Sequence, residues 1–220
     1  MKGPVPQSDR GSSSEESIVF VVDDDPIVRG AISSLLLSVG QRVQQYGSAA
    51  ELLRGILPEV ASCLILDIRL PGLSGLDLQV QLANAEVRIP IIFITGHGDI
   101  PMSVKAMKEG AVDFLTKPFR DQDLLDAVSR ALQRDRKRRA DARDTLDLTV
   151  RFRTLSLREK QTMALVTDGL LNKQIAGKMG ISLETAKIHR GKVMRKMGAR
   201  SLAELVTMAR TLGIKIPGPA

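Results

Sequence analysis

Between residues 18 and 132, five short apolar runs alternate with five amphipathic ones, and few folds accept that order. The runs are Ile18–Val22, Val43–Tyr46, Leu64–Asp67, Pro90–Thr95 and Val112–Thr116. They are rich in Ile, Val and Phe and too short for buried helices, so they read as strands covered on both faces. The intervening stretches repeat apolar residues at helical spacing. Pro26 opens the first, in which Ile27, Ala31, Leu35 and Val39 recur until Gly40. Ser48 with Glu51 forms a capping box for a helix through about Leu57. Further helices run from about Ser74 to Ala85, up to about Glu109, and from near Asp121 with Leu124, Leu125, Val128 and Leu132 on one stripe. Strand–helix alternation implies a five-stranded, doubly wound parallel sheet with right-handed crossovers, an α/β domain.

Polar residues fall at the ends of these strands: Asp23 and Asp24 after the first, Asp67 at the end of the third, Thr95 after the fourth and Lys117 after the fifth. Pro71, Gly72 and Gly75 interrupt the pattern directly after Asp67. In open α/β sheets, ligands bind beyond the carboxyl ends of the strands. Each residue has a plainer role available, Asp23–Asp25 as helix caps and Thr95 as an ordinary strand residue. Together they are a phosphoryl-transfer set: a carboxylate nucleophile, acidic ligands suited to Mg²⁺, a cation and a small hydroxyl donor.

The net charge of +7 hides an asymmetry. Residues 1–130 hold 12 Lys and Arg against 17 Asp and Glu, a net of −5, whereas residues 131–220 hold 20 against 8, a net of +12. Such a split suggests two tasks, the second involving nucleic acid. Residues 1–17 carry almost nothing apolar and read as a disordered lead-in. The single cysteine, Cys63, reads as a small hydrophobe beside the third strand. No run approaches the length of a membrane span, and the expectation is a cytoplasmic protein without a membrane partner.

From Arg134 to Arg139 the chain is basic, and the last helix is expected to continue to about Arg143 through the pairs Asp135–Arg139 and Arg138–Asp141. After residue 154 only short helices follow. Ser156 and Glu159 box the first, ahead of the apolar residues Leu157, Met163, Ala164 and Val166, with Gly169 as its stop. Asn172 caps Lys173–Met179, Gly180-Ile181-Ser182 turns, Glu184–Met197 is a longer basic helix, and Ser201 with Glu204 boxes the last. A short helix, a Gly-containing turn and a basic helix make a helix-turn-helix, an all-α four-helix domain. Lys187, Arg190 and Lys192 are the candidate DNA contacts, with Ile188 and Gly191 forming a low apolar strip between charges. His189 could equally pack against a neighbouring helix.

Two parts of the chain resemble known families. Val21–Pro26, Asp67 before Leu70-Pro71-Gly72-Leu73-Ser74-Gly75, the Thr95-Gly96-His97-Gly98 turn and Lys117-Pro118-Phe119 look like the receiver domain of two-component response regulators, over residues 18–130. Leu157-Arg158-Glu159, Gly169–Ala176 and Thr185–His189 resemble the LuxR/FixJ-type DNA-binding domain over about residues 154–213; the domain is taken as 154–220, with 131–153 as a basic helical linker. The resemblance implies that Asp67 accepts a phosphoryl group from a sensor histidine kinase. It also implies that Asp23, Asp24, Asp67 and the Arg69 carbonyl hold Mg²⁺, that Thr95 and Lys117 contact the phosphoryl oxygens, and that Lys117-Pro118 is cis. Phe114 stands where many receivers carry tyrosine, and implies a switch element without the hydroxyl. The implied whole is a non-enzymatic transcription regulator that dimerises on phosphorylation and binds promoter DNA, with RNA polymerase as a candidate partner. The rival reading is a phosphohydrolase using Asp67, for which no second catalytic acid is evident.

Overall fold

The computed structural model describes residues 17–55, 58–96 and 100–214, and the chain divides into two units after Arg139. In the first, β1 (Ser17–Val22), β2 (Arg42–Tyr46), β3 (Ala61–Asp67), β4 (Ile91–Thr95) and β5 (Asp113–Thr116) form one sheet in the order β2-β1-β3-β4-β5. Every pairing is parallel, with Val22 opposite Leu66 and Asp67 opposite Ile94. The helices are α1 (Pro26–Ser38), α2 (Ala49–Arg54), α3 (Gly75–Asn84), α4 (Ile100–Lys108) and α5 (Asp121–Arg153). Alternation along β1 decides the layers: Phe20 and Val22 join a core with Leu52, Leu64, Leu78 and Ala106, while Val19 and Val21 join Ile32, Leu36, Ile65, Leu124 and Leu132. Helices α2, α3 and α4 therefore cover one face, and α1 and α5 the other. Since β1 lies between β2 and β3, chain direction reverses across the sheet at β1/β3, which places a crevice at the ends of those two strands.

Several local expectations change. In α1 the inner row is Ile32 and Leu36 with Val28 packed alongside; of Ile27, Ala31, Leu35 and Val39 only Leu35 reaches this core, at its edge, and Ile27 is 80% exposed. Both rows are apolar at fourfold spacing, and the β1–α1 turn sets which one meets the sheet. Asp25 caps α1 through Ile27 N, and Arg29 Nη1 reaches back to the Asp23 carbonyl at 2.5 Å. Ser48 caps α2, but the Glu51 carboxylate turns to the Gly47 N–H instead of closing the box. Leu57, the expected end of that helix, lies outside the described residues, as does the lead-in up to residue 16.

Helix α5 continues ten residues beyond Arg143. Asp135 is fully buried on it and accepts from the Ser62 N–H at 3.0 Å, from Arg138 Nε and Nη2, and from Arg139 Nε. Arg138 therefore pairs with Asp135, three residues back, and not with Asp141. Cys63 is buried next to this carboxylate; burial, then the Asp135 charge, pushes its thiol up, so it behaves as an inert apolar side chain.

The second unit holds α6 (Leu157–Thr167), α7 (Asn172–Met179), α8 (Leu183–Met197) and α9 (Leu202–Thr211). Their core gathers Leu155, Met163, Val166, Ile175, Ala186, Val193, Met197, Leu205 and Ala209, joined by Leu148 and Phe152 from the end of α5. Leu157 is 74% exposed, whereas Leu155, just ahead of the helix, is buried in this core. Asn172 is the first residue of α7 and not its cap, the entry being held by Gln174 Oε1 on the Leu171 N–H. Gly180 turns α7 into α8 at φ 63°, a left-handed conformation that favours glycine. The Ser156–Glu159 box forms as expected, and Glu159 also receives Lys196 Nζ at 2.6 Å. That ion pair, with the Ser156 N–H, lowers the Glu159 carboxyl from an ordinary 4.5 to about 2. A depressed acid contributes its stability in full above about pH 4.5 and loses it as the pH falls towards 2. Glu159→Gln should cost the helical unit about 1–3 kcal/mol at pH 5, and the difference from wild type should shrink steadily towards pH 2.5. Urea unfolding followed on the amides of α6–α9 measures both, and a pH-independent difference would remove the ion pair from this role.

Candidate functional site: an acidic crevice and a basic helix face

Two carboxylates and an ammonium meet where β1, β3 and β5 end. Lys117 Nζ donates to Asp23 Oδ2 and to Asp67 Oδ2, both at 2.7 Å. The other oxygen of each acid is held by backbone: Asp23 Oδ1 accepts from the Asp25 N–H and Asp67 Oδ1 from the Arg69 N–H, both at 2.9 Å. The Asp23 side chain is fully buried and that of Asp67 is 9% exposed. Burial pushes the Asp23 carboxyl above its ordinary range, against the opposing pull of Lys117 and the Asp25 N–H. Burial draws the Lys117 ammonium down, but its hydrogen bonds to Asp23 and Asp67 outweigh that and hold it above its ordinary value. The ammonium is therefore a fixed positive charge throughout the neutral range.

Asp24 is exposed at the rim, and oxygens of Asp23, Asp24 and Asp67 lie within 4.8 Å of one another. Carboxylate oxygens carry spare lone pairs beyond the single hydrogen bonds described, so this donor set fits a hard divalent cation such as Mg²⁺. Asp25, the third of the run, is withdrawn from it by capping α1. Thr95 ends β4, fully buried, and its carbonyl accepts from the Lys117 N–H at 2.7 Å, which ties the two residues together through the backbone. Lys117-Pro118 is cis. Phe114, opposite Phe93 in the sheet, is half-buried against the α3/α4 core. His97, Gly98 and Asp99 lie outside the described residues.

On α8 the exposed residues Glu184, Lys187, Ile188, Gly191, Lys192 and Arg195 form one stripe, spanning about 140° at 3.6 residues per turn. Lys187 and Lys192 are its borders, and Ile188 and Gly191 lie between them, Ile188 being 51% exposed. Arg190 is different: it sits about 130° from the middle of that stripe, is half-buried, and donates from Nη1 to Asn172 Oδ1 at 3.2 Å. Arg195 takes a central place on the stripe that its position in a run of basic residues did not single out. His189 is half-buried and its Nδ1 is enclosed, which favours packing over ligand contact. Among the described residues no helix is long and apolar enough to cross a membrane.

Residues 19–129 match the family model described as response regulator receiver domain, and residues 153–209 match the model of bacterial regulatory proteins of the luxR family. Nodulation protein W of Bradyrhizobium diazoefficiens is 57% identical over 208 residues, spanning 94% of this chain and 92% of its own. Transcriptional regulatory protein FixJ of Rhizobium meliloti is 43% identical, over 87% of this chain and 94% of its own. Among solved structures, the response regulator StyR superposes with a TM-score of 0.79 at 49% identity, covering 89% of this chain and 98% of that one.

Two residues escaped sequence reasoning because their roles are made by backbone approach. Arg29 holds the Asp23 peptide, as described above. Gly75 donates its N–H to the Ile68 carbonyl at 2.9 Å and lies so close to β3 that an added methyl would overlap the Asp67 carbonyl oxygen and sit 3.1 Å from Ile68 Cα. Those are backbone atoms, so relief requires Asp67 itself to move. Gly75→Ala should therefore slow phosphoryl acceptance from a small phosphodonor at least tenfold while the chain stays folded. A rate within twofold of wild type would show that the β3–α3 loop yields without disturbing the acid.

Proposed function

The chain belongs to the two-component response regulators that join a receiver domain to a LuxR-type DNA-binding domain, and on that footing we propose how its residues carry a phosphoryl signal to DNA. The observation that supports this most directly is the Lys117 bridge between Asp23 and Asp67 at the strand ends, in a chain whose second unit presents a basic helix face. Asp67 is the phosphoacceptor, and the donor is the phosphohistidine of a sensor kinase. A carboxylate oxygen of Asp67 forms the new O–P bond as the donor's P–N bond breaks, and the departing imidazole takes up a proton. Asp23, Asp24, Asp67 and the Arg69 carbonyl hold Mg²⁺, which when bound supplies positive charge against the phosphoryl oxygens. Lys117 exchanges its contact with Asp67 for one with the new phosphoryl group, and the Thr95 hydroxyl donates to another oxygen. Movement of Thr95 leaves space that Phe114 fills, which alters the surface around α4 and β5.

That change favours a homodimer, whose two α8 helices read half-sites about one helical turn apart in promoter DNA. The Lys187–Lys192 stripe enters the major groove; Arg190 orients α7 against α8 and contributes to the interface through that packing. The protein acts in the cytoplasm as a transcription regulator and not as a hydrolase, and RNA polymerase is the partner through which promoter binding is read out.

Two experiments test these assignments. Asp67→Asn keeps the shape but not the nucleophile, so labelled phosphodonor with Mg²⁺ should leave it unlabelled, and beryllofluoride should raise the dimer fraction of wild type only; incorporation equal to wild type would remove Asp67 from its role. On DNA, Lys192→Ala should weaken binding to all sequences alike and lower the salt dependence by about one unit of slope. Ile188→Ala should instead change preference at one or two base pairs. Isotherms at several salt concentrations on a site and a scrambled control separate the two, and reversed outcomes would mean that the stripe is rotated differently in the groove.

A further inference from the structure

At the opposite end of the sheet from the acidic crevice, a cleft of about 470 Å³ opens between α3, the residues just after α4, and α5, beside the start of β4. Its lining includes Arg88, Arg134, Arg138, Gln79 and Glu109. Three guanidiniums and one carboxylate give these walls a net of +2. Arg88 and Arg134 are exposed and have no ion-pair partner among the described residues. Arg138 is not a loose surface side chain, because buried Asp135 fixes its guanidinium through Nε at 2.9 Å and Nη2 at 2.6 Å. Asp135 shares its charge with Arg139 and so does not cancel Arg138 alone.

Gln79 adds a second, independent feature. It is 95% buried, since only 5% of it is exposed, and its amide orientation is set by Nε2 donating to the Glu109 carbonyl at 3.1 Å and the Ala106 carbonyl at 3.4 Å. Its Oε1 is enclosed at the cleft wall and takes no hydrogen bond. An unmet buried acceptor beside oriented and unpaired guanidiniums is the donor-and-charge pattern of a polar ligand site.

We propose that this cleft binds a small phosphomonoester carrying a hydroxyl group. The dianion matches the +2 walls, its oxygens accept from the forks of Arg88 and Arg134 and from Nη1 of Arg138, and its hydroxyl supplies the donor that Gln79 Oε1 lacks. The volume suits a small molecule. Because Gln79 secures the last carbonyls of α4, such a ligand acts on the helix that the phosphorylation switch is proposed to move.

The test uses the full ¹⁵N-labelled chain titrated with glycerol 3-phosphate and, separately, inorganic phosphate. Glycerol 3-phosphate should give saturable shifts at the Gln79 side-chain amide and the Glu109 and Gly110 backbone, with at least tenfold higher affinity than inorganic phosphate. Arg88→Ser with Arg134→Ser, which removes two side chains without an ion pair among the described residues, should weaken it at least tenfold without changing the melting temperature of the free chain. Shifts confined to other surfaces such as α8, equal affinity for the two probes, or unchanged binding in the double variant would each overturn the proposal. None of these readouts depends on Asp67, so they can fail while the phosphoacceptor assignment stands.

Discussion

The first unit depends on one shared ammonium. Asp23 and Asp67 end neighbouring strands of a parallel sheet, and sheet geometry gives them no freedom to separate. Two buried carboxylates side by side repel, and removing them from water costs each several kcal/mol before any compensation. Lys117 answers both demands with a single group at 2.7 Å from each. It can do so because β5 is fixed to β4, with the Lys117 N–H on the Thr95 carbonyl. Sharing matters as much as pairing: any event that changes the charge on one acid redistributes the hold on the other, so the crevice is sensitive by construction.

Strand β3 carries the consequences along its length. Its last residue is Asp67, and its second, Ser62, gives its N–H to Asp135 of α5. The strand is buried throughout, with Leu64 and Leu66 in one core and Cys63 and Ile65 in the other. Well-packed interiors do not deform gradually. Gly75 adds a contact at the far end that no side chain would permit. Asp67 is thus placed by a rod gripped at both ends, which explains why so short a loop can present it accurately.

The alternation of strands and helices and the convergence of polar strand ends were legible because they rest on period and position, which local sequence encodes. What remained illegible turned on choices between near-equal options. α1 offers two apolar rows, and only the capping of Asp25 and the reach of Arg29 select Ile32 and Leu36. Arg138 could pair with an aspartate on either side, and the buried one won because burial strengthens the interaction. Asn172 looked like a cap by residue type, yet its side chain serves Arg190 while Gln174 holds the helix entry. Arg190 itself belongs to a basic run whose members are indistinguishable until the helix is rotated into its core.

Helix α5 shows how two cores can stabilise what neither sequence propensity nor packing would alone. No Gly or Pro interrupts the chain between Pro118 and Gly169, so nothing ends the helix early. Its first part is buried through Leu124, Val128 and Leu132 and locked by Asp135. Its last part contributes Leu148 and Phe152 to the second core, and Arg151 Nη1 donates to the Met197 carbonyl at the end of α8. Residues 140–147 between these anchors are exposed without exception, Leu146 at 64%. An isolated helix of that length is marginal in water, because nucleation costs more than so few turns return. Here both flanking turns are already formed, so the middle only propagates. Its helicity is conditional on the anchors at either end, and loosening one of them would let this stretch fray first.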